Sequence, residues 1–356
     1  MTNLGDVAEV SGVSAATVSR VLNHPAKVRP TVRTRVEQVM AELKYVPHGA
    51  ARSLASNQTR TMGAIVPMFD ISLFAKIVEG VQQTIHDNGY TLLLAKSNYD
   101  PEREAAEVRA LVERGIDGLI LVGTSRKDEV YELLRSKQIP FVSTCGYEPD
   151  RSWPYVGWDH AAAAAKVARY LVDLGHKRFG IISSSTKNND RAFAKLDGYT
   201  TALKEAGITV DVDKILQAGH TVAEGRFAMS RLLLSPTRPT AVICGTDIHA
   251  YGALQECIWS GVRVPQDVSI TGFDDIEIAA HCVPALTTLH VPAHEIGRQA
   301  ALIVLAAQAS QSPINSVRFE LDLIVRGTTA RPSPAQRVLT VCGNDATTEN
   351  TSSTDM

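Results

Sequence analysis

Apolar positions follow two different rhythms along this chain, and the change falls near residue 60. Up to Leu43 they recur at helical spacing. Val7, Ala8 and Val10 read as the apolar residues of a brief first helix opened by Asn3 or Asp6. Gly12 then supplies the left-handed turn that a sharp corner between helices needs. Ser14 is placed to cap a second helix, its hydroxyl accepting from a first-turn N–H. In that helix Val18, Val21 and Leu22 face inward, whereas Ala15, Ala16, Thr17, Ser19 and Arg20 are small or polar and free to face a partner. Pro30 suits the first position of a third helix. Its Val32, Val36, Val39, Met40 and Leu43 close a small three-helix core. Tyr45-Val46-Pro47 ends this unit, and His48–Ser56 reads as a helix too short to be stable alone.

From Thr61 short apolar runs bounded by turn residues take over. The pattern predicts strands at Met62–Pro67, Thr91–Ala95, Gly118–Val122, Pro140–Ser143 and Tyr155–Trp158. Helical stretches near Phe74–Asn88, Glu102–Arg114 and Asp128–Ser136 separate them. A second series predicts strands at Phe179–Ser183, Ile215–Ala218, Ala241–Gly245 and Val268–Phe273. Its helices fall near Ala161–Leu174, Ala192–Ala206, Glu224–Leu234 and Asp247–Ser260. A helix at Ala293–Ala309 and one late strand at Val317–Val325 follow. Apolar strands alternating with helices imply parallel sheets covered on both faces, here twice over.

Length and charge sharpen this picture. A chain of 356 residues is too long for one ordinary core and implies two or three domains. The formal charge of −2 hides an asymmetry, because residues 1–60 carry eight basic and four acidic side chains. That segment is therefore +4, and the remainder is −6. A basic head on an acidic body fits a protein that presents one end to a polyanion. Five cysteines without short paired spacing suggest neither a disulfide framework nor a zinc site, so no metal or cofactor is expected. No apolar run is long enough to span a membrane, and the N-terminus lacks a signal peptide's apolar core; the expected location is the cytoplasm.

An ordinary surface helical hairpin could share the helices of the head, but its residues are more specific. Asp6-Val7-Ala8, Gly12-Val13-Ser14 and Thr17-Val18-Ser19-Arg20-Val21-Leu22-Asn23 resemble the DNA-binding headpiece of the LacI/GalR family of bacterial transcription regulators. The resemblance runs to about Pro332. It implies a small all-α helix-turn-helix headpiece followed by an α/β periplasmic-binding-protein-like core of two parallel-sheet subdomains. By motif, Ser14, Ala15, Ala16, Thr17, Ser19, Arg20 and Asn23 would meet double-stranded, palindromic operator DNA. Arg52 and Leu54 would do so from a hinge helix, with Leu54 as the wedge in the minor groove. Arg29 stands where the family usually caps the third helix with serine, and Gly49 replaces the hinge's usual alanine.

The implied division is 1–46 for the headpiece, 47–60 for the hinge and 61–332 for a ligand-binding and dimerisation core. Within the core, the N-subdomain takes about 61–158 and 290–322 and the C-subdomain about 160–288 and 324–332. Crossings are expected near Asp159, Leu289 and Leu323. Residues 333–356 are polar and read as a disordered tail. They lack leucine heptads, so a homodimer is the simpler assembly.

In open α/β sheets ligands bind at the carboxyl ends of strands, here between the two subdomains. Asp159 and Asp274 stand at such ends, where the family uses aspartates to bind ligand hydroxyls, although an aspartate there can also cap the next helix. Arg191 and Lys195, four apart on one helix face, bring two cations or merely line a solvated face. Thr246 stands where asparagine is more usual. Leu73 and Phe74 line the opposite wall, or Phe74 simply packs in the core. Two carboxylates with two cations suggest a sugar or sugar acid, with an aldonate such as gluconate as the type. A buried, unpaired Lys195 would be costly, so it should meet an anion or turn to solvent.

The leading function is thus a ligand-responsive DNA-binding repressor. The alternatives on the same α/β fold are a solute-binding protein and a sugar-processing enzyme. The first would have no use for a basic head. For the second, no Gly-Lys-Ser/Thr phosphate loop, no Gly-x-Ser-x-Gly elbow and no His-x-x-x-His metal pair is expected.

Overall fold

Asn3 and Asp6 open the first helix together. In the computed structural model, which describes residues 2–46, 58–147, 149–150, 153–309 and 315–333, their side chains and backbones exchange a reciprocal cap at α1, Leu4–Ser11. Gly12 ends the helix with φ of 65°, a left-handed conformation that costs glycine nothing. Ser14 caps α2, Ala15–Asn23, by accepting from the Thr17 N–H at 3.2 Å. Helix α3, Pro30–Glu42, starts from Arg29 without a side-chain cap. Val7, Ala8, Val18, Val21, Val36 and Val39 form the buried centre, with Val32, Met40 and Leu43 packed around it. Val10 does not belong there. It is 58% exposed, because position 10 turns away from the side defined by Val7, Ala8 and Ser11. The expected hinge residues Gly49, Arg52 and Leu54 and the tail beyond 333 lie outside the described residues.

The core is two parallel sheets with helices on their faces. The first lobe runs β1 (Thr61–Val66), α4 (Ser72–Asp87), β2 (Thr91–Lys96), α5 (Pro101–Glu113), β3 (Gly118–Val122), α6 (Asp128–Ser136), β4 (Phe141–Thr144) and β5 (Tyr155–Gly157). The second runs α7 (His160–Asp173), β6 (Phe179–Ser184), α8 (Asp190–Glu205), β7 (Ile215–Ala218), α9 (Val222–Leu233), β8 (Ala241–Cys244), α10 (Asp247–Trp259), β9 (Ser269–Thr271) and α11 (Glu277–His281). The chain then passes through β10 (Thr288–His290) to α12 (Ala293–Ala309), which packs beside α4, and on to β11 (Val317–Arg318) and β12 (Asp322–Ile324).

Strand order is β11-β5-β4-β3-β1-β2 in the first sheet and β7-β6-β8-β9 in the second. Strands such as β3 and β8 are buried along their whole length, as strands covered on both faces must be. The single late strand expected at Val317–Val325 is two. β11 extends the first sheet beside β5, whereas β12 pairs antiparallel with β10, Leu323 opposite Leu289. Phe319, Glu320 and Leu321 make the break between them. The two connecting segments near Leu289 and Leu323 are therefore hydrogen-bonded to each other.

Candidate functional sites

On the headpiece, α2 carries its polar face outward. Ser14, Ala15, Ala16 and Arg20 are exposed, with Thr17, Ser19 and Asn23 half-buried beside them. Positions 15, 16, 19, 20 and 23 share one side at helical spacing. Ser14 and Thr17 are joined through their hydroxyls at 3.0 Å, and Asn23 donates to Ser19 Oγ at 3.3 Å. Arg20 is the long cationic side chain on this face. A helix of this shape, small at its start and carrying one long donor, fits a DNA major groove.

Between the lobes a second cluster forms at the strand ends. Asp274 follows β9 with φ of 120°, and Asp275 has φ of 56°. Both lie in the left-handed region, which costs a non-glycine residue energy and persists only where the surroundings enforce it. Here they do. The Asp274 N–H donates to Leu289 O at 3.0 Å and its carbonyl accepts from the Val291 N–H at 3.2 Å. Asp275 pairs with Arg326 at 2.7 Å and His290 at 3.0 Å. Asp247 accepts from Thr288 Oγ1 at 2.6 Å and from the Ile276 N–H at 2.8 Å. Gly272 must stay bare beneath it, because an added Cβ would lie 2.1 Å from Asp247 Oδ1.

Asp274 itself is buried, and its carboxylate takes no hydrogen bond from the described residues. Burial pushes its carboxyl up to about 8, with Lys195 opposing and Asp247 adding to the rise. Burial likewise lowers the Lys195 ammonium, which the Asp274 charge partly offsets. Lys195 does not turn out to solvent. Its Nζ donates to Gly245 O at 2.5 Å and lies 4.3 Å from the centre of the Phe273 ring. Of the two outcomes the sequence posed for Lys195, the turn to solvent does not occur; a backbone carbonyl and an aromatic face give it partners within the protein. Arg191 is also satisfied internally, donating to Asp190 Oδ1 at 3.0 Å.

Further groups join the cluster without having been marked in the sequence. Burial pushes His160 down to about 3 and His220 and His249 to about 4, so all three are neutral near pH 7. His160 Nε2 lies 2.9 Å from Cys145 O, while its Nδ1, the Tyr199 hydroxyl and His249 Nδ1 are buried without partners among the described residues. Tyr99 stacks on His220 with centroids 5.5 Å apart. Asp190 could have been noticed as the neighbour of Arg191. Tyr99 and His220 gave no signal, because only the fold brings their two loops together.

The other residues marked in the sequence are placed differently. Asp159 caps α7, accepting from the Ala162 N–H at 2.9 Å, and opens onto a separate groove with Lys166, Tyr170 and Arg318. It therefore does not join Asp274. Thr246 caps α10 and is next to the carbonyl that holds Lys195. Phe74 is 4% exposed and packed in the main core. Leu73 and Asp274 open from opposite lobes onto a groove of about 1170 Å³ along α4. The expectation of no His-x-x-x-His pair was wrong, because His290-Val-Pro-Ala-His294 has that spacing. Pro292 interrupts it, however, and the two rings turn to Asp275 and Gln83 respectively. Among the described residues no cluster of histidine, cysteine, aspartate and glutamate could hold a metal ion. The cysteines among them, Cys145, Cys244, Cys257 and Cys282, are free thiols.

A helix-turn-helix reader preceding a two-lobed α/β core defines a DNA-binding regulator. Residues 3–48 match the family profile of bacterial regulatory proteins of the lacI family, and residues 168–329 match that of the periplasmic binding protein-like domain. The chain is 35% identical over 325 residues to the HTH-type transcriptional repressor CytR of Escherichia coli strain K12, covering 91% of this chain and 95% of the relative. It therefore belongs to the LacI family. Among solved structures, a LacI-family regulator from Silicibacter pomeroyi aligns with a TM-score of 0.85 at 26% identity, over 93% of this chain and all of that one. The regulator CelR in complex with cellobiose aligns at 0.68 and 27% identity, over 92% of this chain and 100% of its own.

Proposed function

We propose that the protein is a homodimeric repressor, cytoplasmic, whose affinity for a palindromic operator is set by a small polyhydroxylated ligand bound between the lobes. Residues 1–46 read the DNA, 47–60 transmit the state of the core, and the lobes from 61 to 332 bind ligand and partner. The observation that carries the ligand reading is Asp274, a buried carboxylate with no donor, held in a costly backbone conformation. Two hydroxyls of a sugar would supply the donors it lacks. Binding would then ionise a carboxyl held up near 8 and release a proton. The orphaned Nδ1 of His160 and hydroxyl of Tyr199 offer further polar contacts from the same region.

A sugar complex of the structural relative CelR supports a carbohydrate ligand here. The internal partners of Arg191 and Lys195 weaken the case for an acidic group, so a neutral sugar and a sugar acid both fit. For the dimer, Phe227, Ile258 and Trp259 project from the neighbouring helices α9 and α10 at 67%, 60% and 81% exposure, an apolar surface that a second copy would cover. Calorimetry with glucose and gluconate separates the two ligand classes. Tight binding of the neutral sugar, unaffected by Lys195→Met, ends the sugar-acid version. If neither these nor other sugars bind to the wild type, or if Asp274→Ala binds them unchanged, the site assignment fails.

A further inference from the structure

The first turn of α8 belongs to the second lobe but makes its contacts in the first. Asp190 Oδ2 accepts from the Thr124 N–H and from the Thr124 hydroxyl, both at 2.9 Å. The Asp190 N–H donates to Ser125 Oγ at 3.1 Å. Arg191, held by the other oxygen of Asp190, lies against Gly123, where an added Cβ would fall 1.6 Å from Nη1. Its guanidinium is 5.7 Å from the centre of the Tyr99 ring, the same ring that stacks on His220. Gly123, Thr124, Ser125 and Tyr99 come from the loops after β3 and β2; Asp190, Arg191 and His220 come from the opposite lobe.

The receiving side is built in advance. The Arg126 side chain is fully buried and donates to Glu104 at 2.7 Å, to Ser143 Oγ at 3.0 Å and to the carbonyls of Val122 and Gly123 at 3.2 and 2.6 Å. These bonds fix the loop that presents Thr124. On the other loop, Asn98 and Tyr99 have φ of 56° and 59°, left-handed values that non-glycine residues keep only under constraint. Every one of these contacts joins protein to protein. They leave a void of about 10 Å³ among Tyr99, Asp190, Arg191 and their neighbours, room for about one water.

We propose that Asp190 and Arg191 form a ligand-independent clasp that holds the lobes closed in the free protein, and that the closed fraction sets basal operator affinity. The second half rests on the repressor reading above; the first does not. An effector that must part the clasp to enter binds more weakly by the fraction of molecules already open.

Residue-resolved hydrogen–deuterium exchange on the full chain, without ligand, tests the clasp. The Thr124 amide donates across the lobes to Asp190, so the wild type should protect it at least tenfold and Asp190→Ala should remove that protection. The Leu119 amide, bonded to Pro140 O within the first lobe, should be unchanged and reports that the variant is folded. Thr124→Val keeps the amide and loses only the hydroxyl bond, so it should fall between. An unprotected Thr124 in the wild type, or one equally protected in Asp190→Ala, overturns the clasp. Operator titration of the same samples tests the regulatory half. A shift of threefold or more in Asp190→Ala supports it, and lost protection with unchanged operator affinity overturns it. A wild type that binds no operator refutes the repressor reading, while the exchange result still judges the clasp.

Discussion

Replacing Asp274 by asparagine should stabilise the protein at alkaline pH, and the reason lies in its proton. An aspartate ordinarily ionises near 3.8, whereas burial holds this carboxyl at about 8. A folded-state value above the unfolded one means that the wild type loses stability as pH rises from about 4 to about 8, with no penalty below that window. The whole interval corresponds to roughly 6 kcal/mol. That interval already includes the opposing Lys195 charge, and an amide needs partners of its own, so the net gain should be smaller. We expect Asp274→Asn to be more stable than the wild type by about 1–3 kcal/mol at pH 8 and by much less at pH 5. Scanning calorimetry at the two pH values would read this as a rise of a few degrees at pH 8 only. If the variant melts lower than the wild type at pH 8, ionised Asp274 is being stabilised by Lys195, and the argument from an unsatisfied carboxylate is wrong. A gain in stability combined with loss of ligand binding is the pattern expected of a residue kept for function.

Two further substitutions probe other parts of the chain. Arg20→Ala should cost roughly 1–3 kcal/mol of operator binding and relax preference at one base pair per half-site; equal loss across all operator variants would make Arg20 a phosphate contact instead. Arg126→Met leaves Glu104 buried without its partner and should cost about 3–5 kcal/mol in thermal or urea unfolding. Glu104→Gln combined with Arg126→Met should recover much of that loss, and a double variant no better than the single one would show that packing rather than charge is responsible.

Much of this architecture could be read from periodicity because each element is long enough to show its period. The helix at Asp128–Ser136 and the strand at Gly118–Val122 have the limits that the pattern gives. The pattern failed where an element is short or where two sheets share one run of residues. Val317–Val325 alternates like one strand, yet its halves pair with β5 and β10, and only the closed topology separates them. Site residues divided in the same way. Asp274, Arg191 and Lys195 were visible because each stands at a strand end or on a helix face that the fold turns inward. Asp159 had the same signature, but its carboxylate satisfies the first turn of α7. Tyr99, Thr124 and His220 lie far apart in sequence on three loops. Nothing local marks a residue whose partner is supplied by the other lobe.

A ligand held at Asp274 should control what the headpiece does on DNA. The direct measurement is fluorescence anisotropy of a labelled operator, selected from random duplexes by the full chain. It should be titrated with and without the sugar or sugar acid that most raises the melting temperature. For the wild type, operator affinity should change by about 5-fold to 150-fold on adding that ligand, the range that 1–3 kcal/mol of coupling allows. Asp274→Ala should bind the same operator and show no response. An Asp274→Ala variant that responds like the wild type would contradict the account by placing the controlling site elsewhere.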